Sequence, residues 1–419
     1  MNDKRLIVIG GGAAGMMAAG QAALAGAEVV LLEKNEWLGR KIAISGKGRC
    51  NITNAEHVSD FIRNYPGNGR FLQGILREFD NVRLREFLSA YGVETKVERG
   101  GRVFPVSDDA EAVVQALERF LNQEHVEVRL KEVVDGIVMT AGKVTGVRLR
   151  GGRMYPAQAC IVTTGGASYP GTGSTGDGYR LAEALGHCVI SPRPALVPLR
   201  TEEGWVKDVQ GLSLRNVEAS LFLNGKRGKT EFGEMLFTHF GVSGPIILTL
   251  SRDAGLAVNR GEKVTLNINL KPALTPEQLD LRLQRDFKEF SNKQFKNALN
   301  DLLPKSLIPV IIELSGIDPD KAVHQVSKEE RRRLAGLLRG LPLTILGTLP
   351  LAAAIVTAGG VDVKEIDPKT LASKKVEGLY FAGEVVDVDG VTGGYNLQAA
   401  FAMGYRAGRA ASRYLESRV

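Results

Sequence analysis

A chain of 419 residues, 44% apolar and 24% charged, can bury a large core and at this length divides into two or three domains, which excludes long disordered tracts as the default. Its net charge of +7, from 54 basic and 47 acidic residues, is spread along the sequence instead of gathered in an arm or tail, so neither a nucleic-acid partner nor a membrane surface is expected. Cys50, Cys160 and Cys188 are odd in number and widely spaced, which supports neither a disulfide framework nor a zinc site; no metal is expected, and a reducing cytoplasm fits.

The opening MNDKRLIVIGGG carries a four-residue apolar run before glycine, too short for a signal-peptide core, so export is not expected. Leu6 to Ile9 reads as a strand. It is followed by a glycine turn, an alanine-rich helix from Ala13 to Ala25 closed by Gly26, and a second strand from Glu28 to Glu33, together a βαβ unit. After Asp108 the helical pattern AEAVVQALERFL leads into short strands at Val126 to Arg129, Gly136 to Thr140 and Val144 to Arg150, a meander of the kind that crosses a nucleotide-binding sheet. Cys160 to Thr164 is a further buried strand that ends in Gly165-Gly166.

Prolines cluster at Ser191-Pro192-Arg193-Pro194, and beyond them the alternating stretches Val217 to Leu223 and Lys263 to Leu270 look antiparallel. Next come helix formers with acidic and basic faces, including LRLQRDFKEF and KEERRRLAGLLRGL; Arg331-Arg332-Arg333 is read as a solvated helix face, not a nucleic-acid site. From Leu341 to Val361 there are 21 residues without a charge, but Pro342, Pro350, Gly347, Gly359 and Gly360 cut them into strand-length pieces, which argues for a return to a buried core instead of a bilayer span. The last strand, Leu379 to Ala382, and a helix from about Asn396 to Leu415 complete the first domain. The expected division is a dinucleotide domain at 1–191 and 355–419, a β-rich insert at 192–272 and 326–354, and a helical subdomain at 273–325. The fold class is α/β, a Rossmann-like domain built from both chain ends around a barrel-like insert.

Gly10-Gly11-Gly12-Ala13-Ala14-Gly15 fits G-x-G-x-x-G between a strand and a helix, and Glu33 ends the next strand 23 residues after Gly10. Gly10 permits the tight turn, Gly12 lets backbone approach a pyrophosphate, and Gly15 lets the helix pack close to the sheet. The helix N-terminus then presents free N–H groups and a partial positive charge, and Glu33 is placed to accept from ribose hydroxyls. This motif is shared by FAD and NAD sites. The C-terminal Gly378-Leu379-Tyr380-Phe381-Ala382-Gly383-Glu384, followed by Asp389 and by Gly394-Tyr395-Asn396-Leu397 opening a long helix, favours FAD. An acid at a strand end suits ribityl hydroxyls, and a helix N-terminus suits the negative charge of a reduced flavin.

A second G-x-G-x-x-G at Gly171 to Gly176 follows Pro170 instead of a strand and has no acid after it, so it reads as a glycine loop against the flavin, with Asp177 capping the next helix, and not as a nicotinamide domain. The segment from Arg40 to Asn54 supplies cations, glycines and small polar side chains where a chain leaving the Glu33 strand would pass the cofactor. Cys50 has no cysteine partner nearby, so thiol–disulfide exchange is disfavoured and packing is the expected role.

GRKIAISGKGRCNITN, TTGGASYPGTGSTGDGY, FTHFGVSGP and GLYFAGEVVDVDGVTGGYNLQAAFAMG together resemble, over essentially the whole chain and in the same order, the bacterial BaiN-type or aminoacetone-oxidase-type NAD(P)/FAD-dependent flavoproteins. The resemblance implies a two-part FAD domain, a barrel-like insert with a helical subdomain, tightly bound FAD and redox chemistry on a small molecule. The candidate cofactor-binding set is Gly10, Gly12, Ala13, Ala14, Gly15, Glu33, Lys34, Arg40, Lys41, Ser45, Gly46, Arg49, Cys50, Asn51, Val134, Thr164, Gly165, Gly166, Gly173, Asp177, Gly383, Glu384, Asp389, Gly394, Tyr395, Asn396 and Leu397.

The flavin itself carries such chemistry, so no catalytic side chain is assigned; His239 is the candidate for proton transfer, and Tyr169 and Tyr395 are candidate walls of the flavin pocket. The expected function is an FAD-dependent oxidoreductase transferring hydride at flavin N5, with NAD(P)H as a transient donor. Two alternatives stand beside it, a flavin-bound redox sensor without turnover and a flavin-dependent RNA-modifying enzyme. The substrate, electron donor and oligomeric state stay open at this level.

Overall fold

The computed structural model describes residues 4–418. Strand β1 (Arg5–Ile9), helix α1 (Ala13–Leu24) and strand β2 (Glu28–Leu32) form the opening βαβ unit. Helix α2 (Arg40–Ile44) follows, then a small antiparallel sheet of β3 (Thr53–Asn54), β4 (Thr95–Val97) and β5 (Arg102–Pro105), with α3 (Val58–Phe61), α4 (Gln73–Glu78) and α5 (Asn81–Ala90) between its strands. Helix α6 (Ala110–Gln123), N-capped by Asp109 through Glu111 N (2.9 Å), leads into β6 (Glu127–Arg129). The meander is a separate three-stranded antiparallel sheet of β7 (Val134–Thr140), β8 (Lys143–Leu149) and β9 (Met154–Pro156). Next come β10 (Ala159–Val162), α7 (Asp177–Ala184) and β11 (Val189–Ala195).

Two compact units result, one of Met1–Ala195 with Ala354–Val419 and the other of Leu196–Ala353. The second unit is a closed barrel with strand order β12 (Leu199–Thr201), β15 (Gly241–Ser243), β14 (Lys226–Thr238), β13 (Ser213–Leu223), β16 (Val264–Asn269) and β17 (Leu341–Thr348). Helix α8 (Pro245–Asn259) follows β15, and α9 (Pro276–Glu289), α10 (Ile308–Ser315) and α11 (Lys328–Arg339) lie between β16 and β17. Thr275 and Ser327 begin α9 and α11 with reciprocal capping boxes to Gln278 and Glu330, which satisfy end N–H groups that water would otherwise have to meet. These helices share one hydrophobic core with the barrel: Leu279, Leu283, Leu334 and Leu338 cluster with Leu199, Leu221, Val264 and Leu343.

The chain re-enters the first unit through β18 (Val356–Val361), then adds β19 (Leu379–Phe381) and α12 (Tyr395–Glu416). The uncharged stretch from Leu341 is therefore barrel strand β17 followed by buried strand β18, and among the described residues no helix is long and apolar enough to cross a membrane. The main sheet has five parallel strands in the order β19-β10-β1-β2-β6, with Leu6 opposite both Ala159 and Val29 and Cys160 opposite Leu379.

Helix α1 is alanine- and glycine-rich because it is enclosed, with Ala13 through Ala22 all buried. Helix α12 crosses it at backbone distance. A Cβ at Gly404 would lie 2.3 Å from Ala14 O, and one at Gly408 would lie 2.2 Å from Ala18 O. Any larger residue pushes the helices apart. Gly404→Ala is predicted to cost roughly 1–3 kcal/mol, read as a lower denaturant midpoint; an unchanged midpoint would show that the helices separate freely.

His187 is buried, with Nδ1 3.0 Å from Glu365 Oε2 and Nε2 2.9 Å from Ser373 Oγ. Burial pulls its pKa below the ordinary imidazole value, and the Glu365 pairing opposes this only partly. The folded state thus binds fewer protons here than the unfolded chain. The stabilisation is complete above about pH 6.5 and is lost as pH falls below that. Between about pH 7.5 and about pH 5 the wild type is predicted to lose more stability than His187→Gln; parallel curves would remove this histidine from the acid response.

Candidate active site

At the C-terminal ends of β1, β2 and β10 the first unit holds a cavity whose wall begins with the glycine turn. Gly10 has φ +106°, a left-handed geometry, and a Cβ there would lie 2.7 Å from Thr163 O. Gly15 is excluded from the wall because it is one turn into α1, where a Cβ would overlap Gly10 O at 1.8 Å. Gly12 differs from both. Its φ of −85° is open to any residue, and a Cβ there would meet nothing within 4 Å. Packing explains Gly10 and Gly15, whereas the space at Gly12 opens onto the cavity.

Gly12 also begins α1 without a side-chain cap, and Gly394 likewise begins α12 without one. Residues of both first turns, Ala13 and Ala14 on one side and Asn396 and Leu397 on the other, line this cavity, so two helix N-termini present partial positive charge to it. Asn396 also fastens the approach to α12, accepting from Gly390 N and donating to Gly390 O, both at 2.8 Å.

Glu33 is buried at the end of β2 and accepts from Gly11 N (2.6 Å), Asn35 N (2.8 Å) and Asn35 Nδ2 (2.6 Å). Asn35 Nδ2 reaches on to Thr172 O (3.2 Å), and Asn35 Oδ1 accepts from Arg40 (2.9 Å), whose guanidinium lies 5.4 Å over Trp37. Lys34 pairs with Asp177 and Thr175, tying β2 to the second glycine loop. Asp177 is not the cap of α7: Gly176 occupies that position, and Asp177 turns to Lys34 and Arg180 instead. Burial would raise the Asp177 carboxyl, but Lys34, Arg180 and Thr175 hold it below its usual value. No strand leads into Gly171, consistent with a loop instead of a second nucleotide fold.

The wall therefore contains, of the predicted set, Gly10, Gly12, Ala13, Ala14, Glu33, Lys34, Arg40, Lys41, Ser45, Val134, Thr164, Gly165, Gly173, Asp177, Gly383, Glu384, Asn396 and Leu397. Thr164 Oγ1 is buried there without a hydrogen-bond partner among the described residues. Outside the wall, Arg49 turns to Glu98 and Asp108, and a Cβ at Gly46 would lie 2.9 Å from Asn51 N. Asn51, with its amide oriented by its neighbours, donates to Val103 O and Thr53 O and accepts from Gly394 N. Cys50 is fully buried, and burial, only partly offset by a hydrogen bond with Ser45, pushes its thiol up to about 12, so it carries no thiolate at neutral pH. Gly166 packs on Thr357, Gly394 packs on Thr53, and Asp389 is buried.

Tyr395 sends its hydroxyl to Glu56 Oε1 (2.8 Å), and Tyr169 is exposed outside the wall. His239 is exposed in the second unit, its ring edge-on to Phe240. Sequence reasoning passed over Asn35, Trp37, Ile355 and Val356, all of them in the wall. Asn35 was detectable as an amide two residues beyond the strand-end acid. Ile355 and Val356 gave no signal beyond apolarity.

A family model described as HI0933-like protein Rossmann domain matches residues 4–410. The chain is 33% identical over 411 residues to the 3-dehydro-bile acid delta(4,6)-reductase of Clostridium scindens, covering 97% of this chain and 99% of that protein. It is 32% identical over 412 residues to the ribosomal RNA dihydrouridine synthase of Haemophilus influenzae, covering 97% and 98%. Among solved structures, the 3-ketosteroid delta1-dehydrogenase of Sterolibacterium denitrificans shares the fold with a TM-score of 0.54 at 15% identity, covering 98% of this chain and 100% of that one.

The two glycines separate ligand space from packing experimentally. Gly12→Ala is predicted to keep stability within about 0.5 kcal/mol while weakening dinucleotide binding, whereas Gly15→Ala lowers stability as well. Calorimetric binding combined with denaturant titration checks this, and a Gly12→Ala protein that binds as tightly as wild type would refute it.

Proposed function

The chain belongs to the HI0933-like Rossmann-domain family, and from that premise we propose that it is an FAD-dependent oxidoreductase that reduces a carbon–carbon double bond conjugated to a carbonyl group in a small molecule. The observation that carries this reading is the convergence of two uncapped helix N-termini, the strand-end acids Glu33 and Glu384 and the open space at Gly12 on one cavity. An extended ligand with a central pyrophosphate and a hydroxyl-bearing group on either side suits that arrangement. The choice of bond is supported by the Clostridium scindens relative, whose name specifies a delta(4,6)-reductase.

Bound FAD would supply hydride transfer at N5. In this reading the backbone N–H groups of Gly12, Ala13 and Ala14 would donate to the pyrophosphate, Gly10, whose own N–H is taken by Leu32 O, makes the tight turn, and Gly15 keeps α1 close enough for that donation. Glu33, anchored by Gly11 and Asn35, offers its remaining acceptor capacity to the adenosine ribose, flanked by Lys34, Arg40 and Val134. Thr164, Gly165, Gly173 and Asp177 form the wall between the halves. Lys41, Ser45, Gly383, Glu384, Asn396 and Leu397 hold the flavin half, while Gly46, Arg49, Cys50, Asn51, Gly166, Asp389, Gly394 and Tyr395 support the segments that carry them. The flavin domain is the unit built from both chain ends, and NAD(P)H serves as a transient electron donor in the cytoplasm.

A second reading, reduction of uridine in ribosomal RNA, is favoured by the name of the Haemophilus influenzae relative. The bond is chemically similar, since the uracil double bond is also conjugated to a carbonyl. Purified protein is predicted to show a flavin spectrum bleached anaerobically by NADH or NADPH and restored by a cyclic enone. Restoration by unmodified ribosomal RNA, with dihydrouridine detected by nucleoside mass spectrometry, would replace the small-molecule reading. Absence of flavin after reconstitution would overturn both.

A further inference from the structure

Four segments far apart in sequence meet in one part of the cavity wall. Lys41 of α2 donates to Glu384 Oε2 (2.7 Å), just beyond β19, and to Ser168 Oγ (2.8 Å), beyond β10. Glu384 Oε1 accepts from Thr357 N of β18 (2.7 Å) and from Ser168 Oγ (3.1 Å). Thr357 Oγ1 in turn accepts from Ala167 N (2.9 Å) and Ser168 N (3.1 Å), which closes the network. Ser168 and Thr357 are fully buried, whereas the Lys41 and Glu384 side chains keep 28% and 19% of their exposure, and both residues line the cavity.

This arrangement does more than neutralise a pair. The carboxylate is anchored from behind by a backbone N–H and a buried serine, and with that serine it holds the ammonium group at the cavity wall through two hydrogen bonds. Two of the three ammonium hydrogens are engaged, and the third has no protein partner among the described residues. A long flexible cation held this way, at a cavity surface instead of in bulk water, acts as a fixed positive charge on whatever occupies the cavity.

We propose that Lys41 is a fixed cation that raises the electron affinity of the bound flavin, and that Glu384 is the residue that positions it; the inference rests on the FAD reading above. Reduction by a nicotinamide donor brings two electrons and one proton to the ring, which passes from neutral to singly negative as the nicotinamide is oxidised. A positive charge beside the ring favours the reduced side of that equilibrium, and a carboxylate opposes it.

The test is the midpoint potential of the flavin-loaded protein, measured by equilibration with reference dyes, in wild type, Lys41→Met, Lys41→Arg and Glu384→Gln. Lys41→Met is expected to disfavour reduction at least tenfold, a drop of about 30 mV for a two-electron couple. Lys41→Arg stays near wild type, and Glu384→Gln, whose amide cannot accept from both Lys41 Nζ and Thr357 N, releases the ammonium group and falls between wild type and Lys41→Met, because it also removes a negative charge. A purely structural role would lower thermal stability and leave the potentials unmoved, and that result overturns the inference. Should Lys41→Met fail to retain FAD, Lys41→Gln, which keeps a donor without the charge, decides: a downward shift supports the inference and no shift overturns it. A wild-type protein that takes up no FAD sinks the flavin reading itself, whereas a loaded wild type with unmoved variants sinks only this one.

Discussion

Helix α1 is held by backbone contact at two places, and the geometry of the candidate site depends on that contact. Gly15 meets the Gly10 carbonyl at the turn from β1, and Gly404 and Gly408 of the neighbouring α12 meet the carbonyls of Ala14 and Ala18. Phe120 of α6 fills the space that a side chain at Gly20 would need. Close-packed interiors resist even one added methyl group, so these crossings locate α1 to within a fraction of an ångström. Because α12 is located by the same crossings, the N-termini of the two helices are fixed relative to each other. Their partial charges then act on one cavity as a preorganised pair and need no reorganisation when a ligand enters.

The two strand-end acids are stabilised by a shared device. Glu33 is held by the N–H groups of Gly11 and Asn35, and Glu384 by the N–H of Thr357, with side-chain donors added in each case. Charge-assisted hydrogen bonds from backbone donors hold a carboxylate in place without a mobile counterion. Of the cations around the cavity, Lys34 and Lys41 are restrained by hydrogen bonds to distant segments of the first unit, and Arg40 by one to nearby Asn35. The wall is therefore a set of oriented charges of both signs, which suits a ligand with distinct polar parts better than it suits a simple anion.

The second unit is inserted at one point of the first. The exit strand β11 and the return strand β18 pair antiparallel, Val189 opposite Val361 and Ala195 opposite Val356. Pairing the two crossings satisfies the backbone groups of both and brings the ends of the insert together, so the first unit closes its core across a long interruption. It also accounts for the uncharged run ending at Val361, since β17 is one strand of the six-stranded barrel and every residue of β18 is buried. Barrel and helices in the second unit share a core, which makes the insert one packed body instead of a barrel with a loose appendage.

Local pattern alone determined the βαβ start, the glycine motif with Glu33, the barrel-like alternation of the insert and the closing helix. Each of these is written in periodicity, in breaker residues and in spacings of a few tens of residues. Tertiary structure decided the rest. Gly12 and Gly15 look alike in the motif, and only the Gly10 carbonyl beside Gly15 and the open cavity beside Gly12 distinguish a packed position from an open one. Arg49 reads as a cofactor donor until Glu98 and Asp108 are placed beside it, and Asp177 reads as a helix cap until Lys34 draws it away. The meeting of Lys41, Ser168 and Glu384 joins positions separated by 127 and 343 residues. Such encounters depend on strand order and register, which arise from the packing of the whole chain and leave no mark on the local pattern at any of the residues concerned.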